Sequence, residues 1–448
     1  MRRLNHFSLI SFICVVLLAI SAPSWGADTI KIGIIGPMKF SQGKEQWNGA
    51  EMAADEINSE GGVKVGNRRL KVQIIQADSN EFINIADATN AMEKLILRDK
   101  VDFVVGGFRS EAVLAMQDIA MDNKMLFIGS GPAHPELCLR VAKDYNRYKY
   151  WFRGAVFNST YLVKNLFAQT RSVATDLKKN LDIDRIKIAI VAEKAMWADG
   201  MVKAAEAYLP MMGMEVVGVW RPSANATDVT AELTAIQRVG CHIILTMISG
   251  PAGIPLAKQA GELKIPAVQV GINVVASRDS FWEATQGMAN YVMHQNTYCP
   301  GAEYNDLTKP FVDEYIKRYG QVPGYTAATH GIIKVILAKS IEKAQSLNPE
   351  KLIPIIENDV HKLSSGYAIY EKDTEGHPLH DLKYGPGYLT SLGVQWQDGK
   401  QVAVWPHFKW VSPYWEYSVE PPDQPNKLSY KGLQPYVIPP WVVAAYKK

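Results

Sequence analysis

The strongest constraint on this chain is the alternation of short, largely apolar runs with segments of helical period. Residues 30–35, 70–77, 101–105 and 125–128 are apolar runs of strand length, and the segments between them carry apolar residues at helical spacing. In the first such segment Trp47, Ala50, Ala54 and Ile57 form one stripe before Gly61-Gly62 stops the helix; Ile85, Ala88, Met92 and Leu95 repeat it in the second. Ser110, with Glu111 behind it, suits the start of a third helix, where a hydroxyl can accept from free amides and a carboxylate meets the positive end of the dipole. Strands that are apolar on both faces need cover on both faces. The β-α-β alternation therefore predicts a parallel sheet between two helical layers.

The pattern then restarts. Residues 186–191, 215–220, 243–247 and 267–271 read as a second set of strands separated by helical segments. Beyond them the spacing predicts a helix over 281–287, a strand over 291–296 and helices over 310–319 and 327–344. At 448 residues the chain exceeds the roughly 250–300 residues at which single cores stop growing. Two lobes follow: residues 27–149 with 276–357, and residues 150–275 with 358–448. In the last part, Asp398-Gly399 between apolar runs marks a hairpin, and an aromatic, proline-rich tail over 413–441 is expected to wrap the surface.

Residues 1–26 read as a signal peptide. Arg2 and Arg3 precede an uncharged apolar run over residues 7–20, too short for the roughly 20 residues that span a bilayer. Ser24 and Gly26 then supply the small residues of a cleavage site before Ala27. Cys14 lies inside the apolar run, away from any lipid-attachment pattern. An exported, periplasmic protein is expected. Its 48 basic and 45 acidic residues give no field suited to nucleic acid. Of the three cysteines past the leader, Cys241 opens an apolar run and reads as a small buried residue, which leaves Cys138 and Cys299 as the candidate disulfide.

Enzyme signatures are missing. The first strand ends in Gly36-Pro37 without GxGxxG, and no GxxxxGK[ST], GxSxG or HExxH occurs. His377 and His380 flank Pro378 in a segment expected to be a loop, which is no metal-site spacing. No catalytic residue, metal ligand set or cofactor is nominated.

The ordered set Ile32-Gly-Ile-Ile-Gly36-Pro37, Trp47-Asn-Gly49-Ala50 through Asn58-Ser-Glu-Gly61-Gly62-Val63, Val104-Val-Gly106-Gly-Phe-Arg-Ser110 and Pro135-Glu136-Leu137 resembles the periplasmic solute-binding proteins of the branched-chain amino acid (Leu/Ile/Val) ABC-transporter type. The closing Val394-Gln-Trp-Gln-Asp-Gly-Lys400 and Val404-Trp-Pro406 are similar to that family's C-terminal strand pair. The resemblance implies an α/β, two-lobed type I periplasmic-binding-protein fold, in which each lobe is an αβα sandwich, the chain crosses three times between lobes, and a small solute sits in the cleft. It also implies a monomeric receptor, without cofactor, that hands its solute to a membrane permease and ATPase.

By the same resemblance, the loops ending at Ser110 and Ala133 receive the solute's polar head through Ser110, Gly131, Ala133 and backbone amides, and Arg109 adds a charge-assisted contact to a carboxylate. Trp197, Phe40 and Trp47 are expected to enclose an apolar body, and His330, close to Tyr325, to make a polar contact. Two positions depart from the amino acid binders. Pro132-Ala133 stands where a hydroxyl helps hold the amino acid head, and the acidic partner of the ammonium falls at Asn273. A buried ammonium without a carboxylate is costly. The expected solute is a small carboxylate, aromatic or otherwise non-amino. The alternatives are an amino acid held by a rebuilt ammonium site, and a periplasmic ligand sensor of the same fold.

Overall fold

The computed structural model describes residues 29–385, 388–406, 409–411, 416–418 and 432–447. The expected leader, and most of the proline-rich tail, lie outside them. The chain opens with β1 (Thr29–Gly36), α1 (Ser41–Ser59), β2 (Val63–Val65), β3 (Arg68–Asp78), α2 (Ile85–Glu93), β4 (Phe103–Gly106), α3 (Ser110–Asp122), β5 (Phe127–Gly129), α4 (Glu136–Lys143), α5 (Tyr145–Tyr148) and β6 (Trp151–Arg153). Their strands form one sheet in the order β2-β3-β1-β4-β5-β6, parallel except for the β2–β3 edge hairpin. The central apolar runs are buried as their composition demands, with Ile32, Ile34, Val104, Val105 and Phe127 at 1% exposure or less, whereas β3 leaves Lys71, Gln73 and Gln76 exposed. Ala50, Ala54 and Ile57 of α1 are buried against this sheet and Trp47 is half-buried; in the second stripe Ala88, Met92 and Leu95 are buried, whereas Ile85 at the helix start is exposed.

The second series is α6 (Ser159–Asn180), β7 (Lys187–Ala192), α7 (Met196–Met211), β8 (Glu215–Trp220), α8 (Thr230–Val239), β9 (Ile243–Ile248), α9 (Gly253–Glu262), β10 (Val268–Asn273), α10 (Ser280–Ala284) and β11 (Met293–Asn296). The chain then returns to the first lobe with α11 (Thr308–Tyr319), a bent helical run made of a 3-10 turn (Tyr325–Ala328), α12 (Thr329–Gly331), a π turn (Ile332–Leu337) and α13 (Ala338–Ala344), and then α14 (Pro349–Asn358). Two short hairpins follow, β12 (His361–Leu363) with β13 (Gly366–Ala368), and β14 (Tyr370–Lys372) with β15 (Pro378–Leu382). The chain ends with β16 (Leu392–Gln397), β17 (Lys400–Trp405), the pair β18 (Lys409–Val411) and β19 (Glu416–Ser418), and α15 (Pro440–Tyr446). The second sheet runs β17-β16-β11-β10-β9-β7-β8. Asp398 (φ 49°) and Gly399 (φ 80°) form the expected β16–β17 turn, and α15 docks on this lobe through Trp441 Nε1 donating to Ile265 O (3.2 Å).

The strands sort between sheets later in sequence than expected. β6 completes the first sheet beyond residue 149. β11 belongs to the second sheet, because Val270 pairs with Met293 in parallel and β16 flanks it antiparallel, so the second crossing follows residue 296 and not 275. The β14–β15 hairpin packs on β6 and α4, and the β12–β13 hairpin on the π turn, all in the first lobe, which moves the third crossing beyond 382. The segment expected as a loop around His380 is strand β15.

The expected disulfide is not formed. Cys138, Cys241 and Cys299 are free and buried. Cys138 lies in the first lobe, with its Sγ 3.5 Å from His380 O, whereas Cys299 packs beside β17 of the second, 3.6 Å from Gln401 O. Separate cores hold the two sulfurs. Among the described residues no helix is long and apolar enough to cross a membrane.

Candidate functional site

The C-terminal ends of the two sheets face one another, the position where open α/β sheets bind ligands. On the first lobe the site begins where β4 ends. Gly106 (φ 132°) turns the chain so tightly that a Cβ there would lie 1.9 Å from Ile35 O, and one on Gly131 would lie 2.5 Å from Gly107 O. Glycine is therefore required for the two loops to pack backbone to backbone. Ser110 locks them together. Its Oγ accepts from Ala133 N (3.2 Å) and His134 N (3.1 Å), so the hydroxyl holds the neighbouring loop and does not cap its own helix, where Arg109 is the N-cap.

Glu81 braces this loop from behind. Its carboxylate accepts from Phe108 N (3.1 Å), Arg109 N (2.7 Å) and Ser79 Oγ (2.7 Å). Burial pushes the Glu81 carboxyl up to about 7 against the lowering pull of those donors. The Arg109 guanidinium pairs with Glu111 (2.5 Å) and sits 5.6 Å over the Phe82 ring. Its charge is therefore already partly met. A second brace is Arg153, fully buried, which pairs with Asp381 (2.7 Å) and donates to Pro132 O and to His134 O (2.9 Å) on either side of Ala133.

The opposite wall comes from the second lobe. Trp197, at the start of α7, donates through Nε1 to buried Glu193 (2.8 Å). Glu193 also accepts from Ser249 Oγ (2.5 Å), Ser249 N (2.8 Å) and Gly250 N (2.9 Å), which leaves neither carboxylate oxygen for a solute. Ile272 and Val274 at the end of β10, and Gln295, Asn296 and Thr297 at the end of β11, complete this wall. Val156, Leu162, Tyr325 and Ser391, from segments at or near the crossings between lobes, close the space.

The cavity between the lobes measures about 50 Å³. A water needs roughly 10–15 Å³ of such a cavity, so the space takes about four waters or one small organic solute. Its walls are mostly apolar, through Phe108, Ala133, Val156, Leu162, Trp197, Ile272 and Val274, and among the described residues no acidic side chain lines it. The two lobes touch around it. Gln42 Nε2 donates to Ser249 O (2.8 Å), Asn225 Nδ2 to Phe82 O (3.2 Å) and Val322 N to Asp279 (3.1 Å), and the buried Glu45 and Arg278 side chains approach to 2.7 Å.

Of the residues singled out from sequence, Arg109, Ser110, Gly131, Ala133 and Trp197 line this cavity. The other four do not. Phe40 packs on Phe82 (ring centroids 4.6 Å), one ring behind Phe108. Trp47 packs half-buried on the first-lobe core. Asn273 turns its amide away and donates to Gly253 O (3.0 Å) beside α9, leaving its neighbours Ile272 and Val274 to face the cavity. His330 is held by Glu56 (3.0 Å), between α1 and the bent helical run, with Lys334 on the same carboxylate (2.6 Å). Sequence reasoning did not nominate Phe108, Ser249, Ser391 or the Gln295-Asn296-Thr297 triplet for this wall. For the triplet a signal existed: three consecutive polar residues at the C-terminal end of a predicted strand.

The periplasmic binding protein family profile matches residues 29–383. The Leu/Ile/Val-binding protein homolog 7 of Brucella suis is 24% identical over 424 residues, covering 89% of this chain and 96% of that protein. Among solved structures, the isoleucine complex of a branched-chain amino acid transporter substrate-binding protein from Streptococcus pneumoniae is similar, with TM-score 0.68 and 19% identity over 84% of this chain and 98% of that one. A solute-binding protein of an ABC transporter from R. palustris, in complex with benzoate, gives 0.67 and 16% over 84% and 95%. These neighbours share the two-lobed type I fold, and with the profile covering most of the described residues, the chain belongs to the periplasmic binding protein family.

Proposed function

We propose that this chain is the extracytoplasmic receptor of an ABC importer, and that its two lobes close on a small non-amino carboxylate with an apolar body. The observation that carries this reading is a cavity with apolar walls, donors at one end and, among the described residues, no acidic lining residue. Ser110 Oγ already accepts two amides, so its proton is free to donate into the cavity, and the positive end of α3 lies beside it. Arg109, paired with Glu111 through one nitrogen, offers the other N–H donors of its guanidinium to the solute head. An α-ammonium would be buried without an anionic partner, because Glu193 spends both oxygens on Trp197 and on the loop at Ser249-Gly250. Relatives in complex with isoleucine and with benzoate bracket the choice, and the lining favours the second kind of solute. Export to the periplasm, a monomeric state and delivery to permease and ATPase subunits complete the proposal. Closure of the lobes is the signal those subunits would read.

A thermal-shift screen of the mature chain tests it, since a solute that binds only the folded state raises the apparent stability. Non-amino carboxylates are expected to give the largest shifts. Leucine, isoleucine or valine giving the largest shift would refute the carboxylate assignment.

A further inference from the structure

The second-lobe wall holds a polar group that the protein itself leaves unused. Gln295 is 7% exposed and lines the cavity, and its Nε2 is buried without a hydrogen-bond partner. A relay fixes which end of the amide faces which way. Tyr384 Oη donates to Asn165 Oδ1 (3.0 Å), Asn165 Nδ2 donates to Ser391 Oγ (2.7 Å), and Ser391 Oγ donates to Gln295 Oε1 (3.3 Å). The carbonyl end is therefore committed to Ser391, and the two N–H donors remain. Asn296, the next residue, offers no such group, because its amide donates to Tyr298 O (2.8 Å) and Pro323 O (3.2 Å) and accepts from Thr297 N (2.8 Å).

An unmet buried amide costs the free energy of its lost hydration, and a site built around one rejects any solute that leaves it unmet. We infer that Gln295 is a specificity-determining donor, and that the solute carries, besides its carboxylate, a neutral hydrogen-bond acceptor such as a hydroxyl or keto oxygen that meets Gln295 Nε2. This rests on the carboxylate reading above. The acceptor is neutral because, among the described residues, Arg109 is the one charged side chain of the lining and Glu111 already pairs with it, so a second solute anion would be buried without a counter-charge. The carboxylate head is assigned to Ser110 on the first lobe and the acceptor to β11 of the second. Such a solute bridges both lobes and couples recognition of its distal oxygen to closure.

The test is isothermal titration of the mature chain with carboxylates of one skeleton, with and without the distal oxygen: benzoate against 3- and 4-hydroxybenzoate, and cyclohexanecarboxylate against 4-oxocyclohexanecarboxylate. In the wild type, at least one oxygenated member is expected to bind about tenfold or more tighter than its parent, and in Gln295→Met that ratio is expected to fall towards one. Circular dichroism establishes that the variant is folded, and the wild-type ratio tests the inference without any substitution. Equal wild-type affinities within each set, or a preference that survives in Gln295→Met, would overturn the role of Gln295 while leaving the carboxylate reading standing. Binding of amino acids with no binding of any carboxylate would overturn both.

Discussion

The ion pair of Arg153 and Asp381 offers the sharpest energetic test of how the head of the site is held. Both side chains are buried, at 0% and 5% exposure, and their N···O separation is 2.7 Å. Asp381 further accepts from Asn158 Nδ2 (2.9 Å) and Leu382 N (2.9 Å), while Arg153 donates to the carbonyls of Pro132 and His134. Removing one member leaves the other as a buried, uncompensated charge, which costs about 3–5 kcal/mol, a large fraction of a typical net stability of about 5–15 kcal/mol. Asp381→Leu and Arg153→Met are each expected to lose that amount. The double variant has no stranded charge. It still leaves the two carbonyls unmet, at about 1–3 kcal/mol each, so its loss is expected to fall clearly below the sum of the single losses.

Urea unfolding followed by circular dichroism gives the three free energies, provided the slopes stay equal across the variants. Because Arg153 holds the carbonyls flanking Ala133, and the amides of Ala133 and His134 in turn hold Ser110 Oγ, Arg153→Met is also expected to weaken carboxylate binding about tenfold. Losses that simply add in the double variant would refute the coupling. Unchanged carboxylate affinity in a folded Arg153→Met would refute the link from the ion pair to the head of the site.

Three further outcomes follow from buried charges elsewhere. Glu81 is raised by burial to about 7 from 4.5, so the folded state holds a proton that the unfolded chain has released, and stability is expected to decline as pH rises from about 4.5 through 7; Glu81→Gln should flatten that part of a melting-temperature profile, and an unchanged profile would refute the assignment. Glu56 is affected in the opposite sense. Burial alone would raise it, but the hydrogen bonds and charges of His330 and Lys334 hold it at about 2, so its contribution is present above 4.5 and is lost as pH falls from there towards 2; the difference between wild type and Glu56→Gln in acid melts should shrink over that window. Arg278→Ala strands Glu45 at the contact between lobes, and is expected to cost about 3–5 kcal/mol and to enlarge the radius of gyration in small-angle X-ray scattering; an unchanged scattering profile would show that the pair does not hold the lobes together.

The head of the site was reached through the family resemblance, whose motifs carry it because it is local in sequence. The loops after β4 and β5 need glycines wherever backbone meets backbone, and Gly106, Gly107 and Gly131 announce them. Ser110, Arg109 and Ala133 then follow within a few residues of those turns. Trp197, which begins the helix after the first strand of the second series, was reached through the family resemblance, which implies an aromatic wall beside the solute. His330 and Asn273 were misplaced because a polar side chain at a plausible depth in the sequence has two ways to be satisfied. Glu56 meets the histidine and Gly253 O meets the asparagine, both inside the protein, and neither partner is adjacent in sequence.

The far wall was illegible for a different reason, and the cause is one misplaced crossing. Periodicity finds a strand over 291–296, but sheet membership is set by pairing with β10 and β16, and β16 lies about 100 residues away in sequence. Placing the crossing at 275 assigns that strand to the first lobe, so the end of β11 is not considered as part of the second-lobe wall. With β11 in the second sheet the consequence is immediate: its C-terminal end falls at the cleft, and Gln295 and Thr297, flanking Asn296, stand where a ligand is met. A strand of an α/β sheet that closes on Gln-Asn-Thr rather than on apolar residues carries polar groups to a place where water is excluded once the lobes close. Each such group must find a partner in the protein or in the solute. Asn296 finds its partners in the chain; Gln295 Nε2 does not, which makes the oxygen content of the solute a property that this wall selects.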